Sequence, residues 1–207
     1  MRMTIVGAGN VGKALGTGWR ESGHEISYAL RDPVGKRAGE LRQLGFATVA
    51  MAEGAAKAEL FVMAVPWPAV SDAVGRLGDL TGKIVVDATN PLTPALELAL
   101  GFSDSAGESL ARLAKGARVV KAFNTTGAEN MAKAATFEVK ALMPVASDDQ
   151  AAKAVVMKLA DELGFEAVDA GPLRAARLLE PMAVLWIKQA IERKFGRNFA
   201  FALTRRT

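Results

Sequence analysis

Six residues near the amino terminus do most to limit what this chain can become. Gly7-Ala8-Gly9-Asn10-Val11-Gly12 follows directly on Met1-Arg2-Met3-Thr4-Ile5-Val6, which reads as a buried parallel strand, and leads into Lys13-Ala14-Leu15-Gly16-Thr17-Gly18-Trp19-Arg20, which reads as a helix. A glycine triplet alone is common; strand, triplet and helix in that order form a nucleotide-site fingerprint. Gly7 permits the sharp turn out of the strand, Gly9 lets a pyrophosphate approach a backbone with no Cβ in the way, and Gly12 lets the helix lie close on the strand. The free amides and positive end of that helix then face the phosphates. The competing reading is a tight glycine turn that holds no ligand.

With 207 residues there is room for one large domain, or one domain and a small appendage, and with 50% hydrophobic residues there is ample material for a core. No apolar run approaches the length of a membrane span, and the first residues are already a strand rather than a signal peptide. Cysteine is absent, which removes disulfides, thiolate nucleophiles and thiolate metal sites together. A cytoplasmic protein is expected. The single histidine, His24, stands in Ser22-Gly23-His24-Glu25, where the first helix ends and the second strand begins. That is the edge opposite the one where such sheets gather catalytic groups. Neither a histidine triad nor a multi-histidine metal cage can be built, and no metal is expected. The one tyrosine, Tyr28, falls inside the second strand and reads as core. No catalytic side chain is expected, so the chemistry should come from a cofactor.

The net charge of +4 is uneven: residues 173–207 carry eight basic side chains (Arg174, Arg177, Lys188, Arg193, Lys194, Arg197, Arg205, Arg206) against Glu180 and Glu192, a net +6. Such a tail attracts nucleic acid, membrane or an anionic small molecule, or is simply a solvated face. No nucleic-acid motif accompanies it, so neither nucleic acid nor membrane is an expected partner.

Apolar strands (1–6, 25–30, 46–49, 60–65, 83–88, 118–122, 139–145, 166–170) alternate with helical stretches (10–22, 33–44, 51–58, 68–78, 105–115, 126–133, 148–163, 181–195). The alternation predicts an α/β fold of Rossmann type: a doubly wound, mostly parallel sheet with helices on both faces and a short α/β C-terminal extension. The division is placed at 1–134 for the dinucleotide-binding domain and 135–207 for the extension, which completes the sheet and is expected to supply the acceptor site and a dimer contact. Asp32-Pro33 reads as a helix start with Asp32 as the cap, and Gly23, Gly45, Gly116 and Gly164 read as helix stops. Met182-Ala183-Val184-Leu185-Trp186-Ile187 is apolar all round, so it is expected to be buried in the core or in a homodimer interface.

Ligands of such sheets lie beyond the carboxyl ends of the strands. The second strand ends in Ala29-Leu30-Arg31-Asp32. Leu30 stands where an NAD site would place an acid for the ribose hydroxyls, whereas Arg31 suits a 2′-phosphate, with Lys36 or Arg37 one turn on. NADP is therefore the expected dinucleotide; otherwise Arg31 is a solvated loop arginine. The fourth strand ends in Val65-Pro66-Trp67-Pro68, where Trp67 either covers the cofactor or fills a loop cavity. Asn90, Asn124 and Thr125, past the fifth and sixth strands, either orient a carboxamide or ribose or cap turns.

Beyond the glycine fingerprint, the blocks Gly23-His24-Glu25-Ile26, Val65-Pro66-Trp67, Val120-Lys121-Ala122-Phe123-Asn124-Thr125 and Asp169-Ala170-Gly171-Pro172-Leu173 carry a resemblance. They resemble the NADPH-dependent deazaflavin (coenzyme F420) reductases and the wider group of small dinucleotide-binding oxidoreductases around them. The cytoplasmic domain of the STEAP metalloreductases is a more distant likeness. The resemblance runs from Met1 to about Ile187 and implies a Rossmann-type fold, NADP and a dimer. It carries NADP binding onto Gly9, Asn10, Val11 and Arg31, and implies a nicotinamide near Val65, Pro66 and Ala122. One position departs: Leu30 stands where the archaeal deazaflavin enzymes tend to have a serine, which removes one phosphate hydrogen bond. The implied reaction is hydride transfer between NADP(H) and F420, the acceptor ring lying under Trp67 and the 91–105 loop. Transfer between two stacked cofactors needs positioning rather than a protein acid or base, which agrees with the residues available. Two other readings stay open: an NADPH-dependent reductase of a flavin or ferric chelate, and a non-enzymatic NADP(H)-sensing module.

Overall fold

In the computed structural model, which describes residues 1–206 (for Lys57 the backbone alone), strands and helices alternate in the expected order. The strands are β1 (Arg2–Val6), β2 (Glu25–Leu30), β3 (Ala47–Ala50), β4 (Leu60–Met63), β5 (Ile84–Asp87), β6 (Arg118–Lys121), β7 (Leu142–Ala146) and β8 (Glu166–Gly171). The helices are α1 (Asn10–Glu21), α2 (Lys36–Gln43), α3 (Met51–Lys57), α4 (Val70–Leu77), α5 (Ala106–Leu113), α6 (Ala128–Met131), α7 (Gln150–Glu162) and α8 (Ala176–Ile191). The eight strands form one sheet in the order β3-β2-β1-β4-β5-β6-β7-β8. The first six are parallel, in the order that binds dinucleotides across the crevice where the winding reverses, here between β1 and β4. β7 joins β6 antiparallel, at Lys121 and Ala146, and β8 runs parallel to β7.

Strands β4 and β5 are buried along their whole length, as a sheet covered on both faces requires. On one face Ile5, Val62 and Val86 pack with Leu15 and Trp19 of α1 and with Val156 of α7. On the other, Val6, Phe61 and Val85 pack with Val74 of α4 and Leu110 of α5. Trp19 meets the Phe123 ring edge-on at 5.2 Å and donates its indole N–H to the Leu159 carbonyl at 3.0 Å, which ties α1 to α7. Gly23, Gly45, Gly116 and Gly164 all take positive φ beyond helix ends.

The structure corrects two details of the sequence reading. Asp32 does not cap α2: its Oδ1 accepts from the Val34 and Gly35 amides, closing a turn, and the helix starts at Lys36 with Gly35 as its cap. Helix α8 begins at Ala176 rather than at 181, so Pro181 lies inside it, where the missing N–H leaves the Arg177 carbonyl without its helical partner. Of the apolar run 182–187, only Ala183 and Trp186 are buried; Leu185 is 50% exposed, and Leu178, two turns earlier on the same face, is 70% exposed. The run thus has an inward and an outward apolar side.

Candidate functional site

The turn between β1 and α1 is shaped by steric limits. Gly7 has φ +112°, and a Cβ there would lie 2.5 Å from the Ala64 carbonyl oxygen. At Gly12 a Cβ would lie 2.4 Å from the Gly7 oxygen, so the helix sits on the turn only because no side chain intervenes. At Gly9 the nearest atom to a Cβ would be 4.0 Å away, which leaves its backbone open to a ligand. Gly9 precedes α1 in an extended conformation, and among the described residues no side chain caps the first turn. A tight turn, an open backbone and uncapped amides are what a pyrophosphate needs, so the cradle fits a dinucleotide. Tyr28 supports the cradle from below: its buried hydroxyl donates to the Gly12 carbonyl at 3.0 Å, and burial pushes that phenol above its ordinary pKa. His24 lies at the far, amino edge, with Nε2 2.7 Å from Glu162 Oε2.

A cavity of about 430 Å³ opens beside the cradle, bounded by Gly7, Leu30, Arg31, Lys36, Arg37 and Pro66 among others. Leu30 places no acid in it. Arg31 is 59% exposed, and its Nη2 lies 2.8 Å from Asp72 Oδ2 of α4. Arg76, one turn along, holds both Asp72 oxygens at 3.0 Å. The Arg76 hydrogen bonds, with the Arg31 charge beside them, keep the Asp72 carboxyl below the usual carboxylate range. The sequence reading missed Asp72 and Arg76. Their i, i+4 spacing on a helix was a signal for the pair, but nothing in it points to Arg31.

A second cavity, about 390 Å³, continues past β4, where Asn10, Trp67, Asn90, Asn124, Trp186 and Arg197 are among its walls. Gly9, Val11, Val65 and Pro66 also line it, so Val65 and Pro66 face both spaces. Asn90 and Asn124 lock each other. Asn90 Nδ2 donates to the Asn124 carbonyl at 3.0 Å, and Asn124 Nδ2 donates to Asn90 Oδ1 at 3.0 Å and to the Leu179 carbonyl of α8 at 3.1 Å. With its amide hydrogens spent, Asn124 Oδ1 is buried and has no partner among the described residues, as has Thr125 Oγ1. A buried acceptor at a cavity wall calls for a ligand N–H or a water. Ala122 and Thr125 are buried and line neither cavity.

Behind these walls lies a second missed feature. Lys121 Nζ, at the end of β6, is fully buried, 2.9 Å from Asp87 Oδ2, 2.9 Å from Glu180 Oε1 of α8, and 2.6 Å from the Thr89 carbonyl it donates to. Glu180 accepts from the Ala106 and Gly107 amides at the start of α5, and Asp87 Oδ1 from the amide and hydroxyl of Thr89. Burial pushes the Glu180 carboxyl above its ordinary value, against the pull of Lys121. The cluster fastens α8 to the loops that present Thr89, Asn90 and Asn124.

The comparisons with known proteins agree with this architecture. The sequence model of the family described as NADP oxidoreductase coenzyme F420-dependent matches residues 2–91, which span β1 to just beyond β5. The crystal structure of a protein assigned as an F420-dependent NADP reductase from Arthrobacter sp. FB24 superposes with a TM-score of 0.90 at 30% identity, covering 98% of this chain and 99% of that one. A hypothetical protein, SMa0349 from Sinorhizobium meliloti, superposes with a TM-score of 0.72 at 28% identity, over 85% of this chain and 87% of that one. Metalloreductase STEAP3 of Rattus norvegicus is 30% identical over 179 residues, which is 86% of this chain, while the chain spans only 36% of that protein's length. Among the described residues no helix is long and apolar enough to cross a membrane. With the fingerprint, the strand order and a full-length relative in agreement, the chain belongs to the family of coenzyme F420-dependent NADP oxidoreductases.

Proposed function

We propose that the protein transfers a hydride between NADP(H) and the deazaflavin coenzyme F420. The observation that carries this reading is the second cavity. It adjoins the dinucleotide cradle, has two indoles and a pair of locked asparagines in its walls, and among the described residues lining it there is no Asp, Glu, His, Lys or Tyr. A wall without a proton donor or acceptor of that kind suits a reaction between two planar cofactors, where orientation is the main requirement. When bound, NADPH supplies two electrons and a proton as hydride, and the acceptor takes its second proton from solvent.

The chain's own residues bind and orient. Gly7, Gly9 and Gly12 shape the cradle, and the amides at Asn10 and Val11 face the pyrophosphate. Arg31, with Lys36 on the same rim, holds the 2′-phosphate. Val65, Pro66 and Trp67 bound the nicotinamide end, with Ala122 and Thr125 behind it, and Asn124 Oδ1 takes a hydrogen bond from a carboxamide or ring N–H. In this reading residues 135–207 act as the extension that closes the acceptor site, and the exposed side of α8, with Leu178 and Leu185, is the homodimer contact of a cytoplasmic enzyme.

Likeness to a metalloreductase favours one second reading, in which the acceptor is a flavin or ferric chelate. The test follows loss of NADPH absorbance with F420, then with FMN and ferric citrate. Oxidation by F420 is expected. No oxidation by F420 with rapid oxidation by either of the others replaces the first reading with the second, and tight NADPH binding with no turnover at all leaves a sensing module.

A further inference from the structure

The basic C-terminal segment is less uniform than its charge suggests. Arg177 is paired with Glu108, Lys188 with Glu97 and Glu192, and Arg205 with Glu166. Arg197 differs in position: it is the one charged side chain among the described residues that line the second cavity. Its backbone is pinned there. Buried Asn130 donates to the Arg197 and Phe199 carbonyls at 3.1 and 2.9 Å. Trp186, itself a cavity wall, donates to the Phe199 carbonyl at 2.9 Å and stacks on the Phe199 ring at 5.1 Å. Further on, the Leu142 amide of β7 donates to the Phe201 carbonyl at 2.7 Å. The segment is thus fastened at Arg197 and just beyond it, and presents Arg197 at the cavity. Its side chain is 51% exposed, with Nε 2.7 Å from Glu129 Oε1, and Glu129 is 38% exposed. An ion pair so open to water is easily exchanged.

We propose that Arg197 reads an anionic substituent, a phosphate or carboxylate, on the hydride acceptor, and so selects acceptors by charge as well as by ring. This rests on the reading of the second cavity as the acceptor site. The dinucleotide pyrophosphate has its own partners in the uncapped amides of α1. A guanidinium offers a planar, bidentate fork that matches a phosphate or carboxylate, and leaving Glu129 for such a group costs one solvated pair.

The experiment measures binding to the NADP⁺-loaded protein by fluorescence quenching for two pairs of probes: F420 against its deazaflavin chromophore without the phosphate-bearing tail, and FMN against riboflavin. In the wild type the anionic member of a pair binds roughly tenfold tighter. Arg197→Gln brings the two members within about twofold, Arg197→Lys keeps part of the preference as a point charge, and the NADPH Kd shifts less than about twofold in both. A preference for FMN identifies phosphate as the group read; a preference confined to F420 places the group read on the F420 tail. Binding by the flavin pair alone rejects the deazaflavin as acceptor and still decides the role of Arg197. No preference in the wild type, binding of neither pair included, overturns the assignment, and so does an Arg197→Gln protein whose NADPH affinity falls as far as its acceptor affinity.

Discussion

At the carboxyl edge of the sheet stand two clusters of three charged side chains, one of each kind of environment. Asp87, Lys121 and Glu180 are at most 1% exposed and join β5, β6 and α8. Arg31, Asp72 and Arg76 are 40% exposed or more and join the end of β2 to α4. The buried cluster carries an excess negative charge, which the amides at the amino end of α5 answer. Each of its charged groups has hydrogen-bond partners, as the cost of desolvation demands. The exposed cluster carries an excess positive charge, with Asp72 the one ion-pair partner of both arginines among the described residues, and its members are solvated. A fully satisfied buried cluster fixes shape, whereas a solvated one with spare charge can change partners. The first holds the asparagine walls of the second cavity; the second stands at the rim of the first cavity with a cation to offer an incoming anion.

The largest effect should come from breaking the buried cluster. Lys121→Met leaves the Asp87 and Glu180 carboxylates facing each other without their cation, and a loss of about 3–5 kcal/mol is expected, the usual cost of orphaning a buried charge. Urea unfolding of the variant beside the wild type measures it, and a loss below about 1 kcal/mol would show that Lys121 is not the keystone. The loss should also depend on pH. Glu180 already has a raised pKa in the folded state, so the folded protein holds that proton more readily than the unfolded chain. The stability tied to this proton is full below the ordinary carboxylate pKa and declines as pH rises through the raised value. Removing Lys121 takes away the cation that opposes the rise, so the variant should be least compromised at acidic pH and most at neutral pH.

These clusters also mark the limit of what the sequence discloses. All eight strands were legible because β-rich apolar runs such as Phe61-Val62-Met63 and Val85-Val86 have no other use. The cradle was legible because its three glycines act within one turn, and local steric demands are written in neighbouring residues. Asp32 misled because a side chain that can cap a helix can equally close a turn before it, and Pro181 hid the first turn of α8 because packing overrode its local cost. Lys121 gave no sign of its role: its partner Asp87 is 34 residues away, and only the fold brings them together. Arg197 appeared as one charge among eight in a basic tail; its fastening by Asn130 is equally a tertiary fact.

A smaller effect, confined to ligand binding, should follow from the exposed cluster. Arg31→Ala removes the charge-assisted contact proposed for the 2′-phosphate, and NADPH affinity is expected to fall roughly 10- to 100-fold while NADH affinity stays within about twofold. The thermal midpoint should barely move, because an exposed pair contributes little to folding. Titration of both nucleotides against both proteins decides it. Equal wild-type affinity for NADPH and NADH, or an equal loss of both in the variant, would detach Arg31 from the 2′-phosphate.

Asp72→Asn asks the finest question. Asp72 competes for Arg31, with Nη2 2.8 Å from its oxygen, and Arg76 holds the same carboxylate. An incoming 2′-phosphate must displace that carboxylate or share the guanidinium with it. Asparagine keeps the size and one acceptor but removes the competing charge, so NADPH affinity should rise about two- to fivefold with no change for NADH, the scale of an exposed ion pair. The gain should shrink as salt is raised, since exposed charges are screened within about 8 Å at physiological ionic strength. It should also vanish in an Arg31→Ala background, where there is no guanidinium to release. A fall in NADPH affinity instead would mean that Asp72 orients Arg31 rather than occupies it. The exposed cluster would then act, like the buried one, as a fixed support.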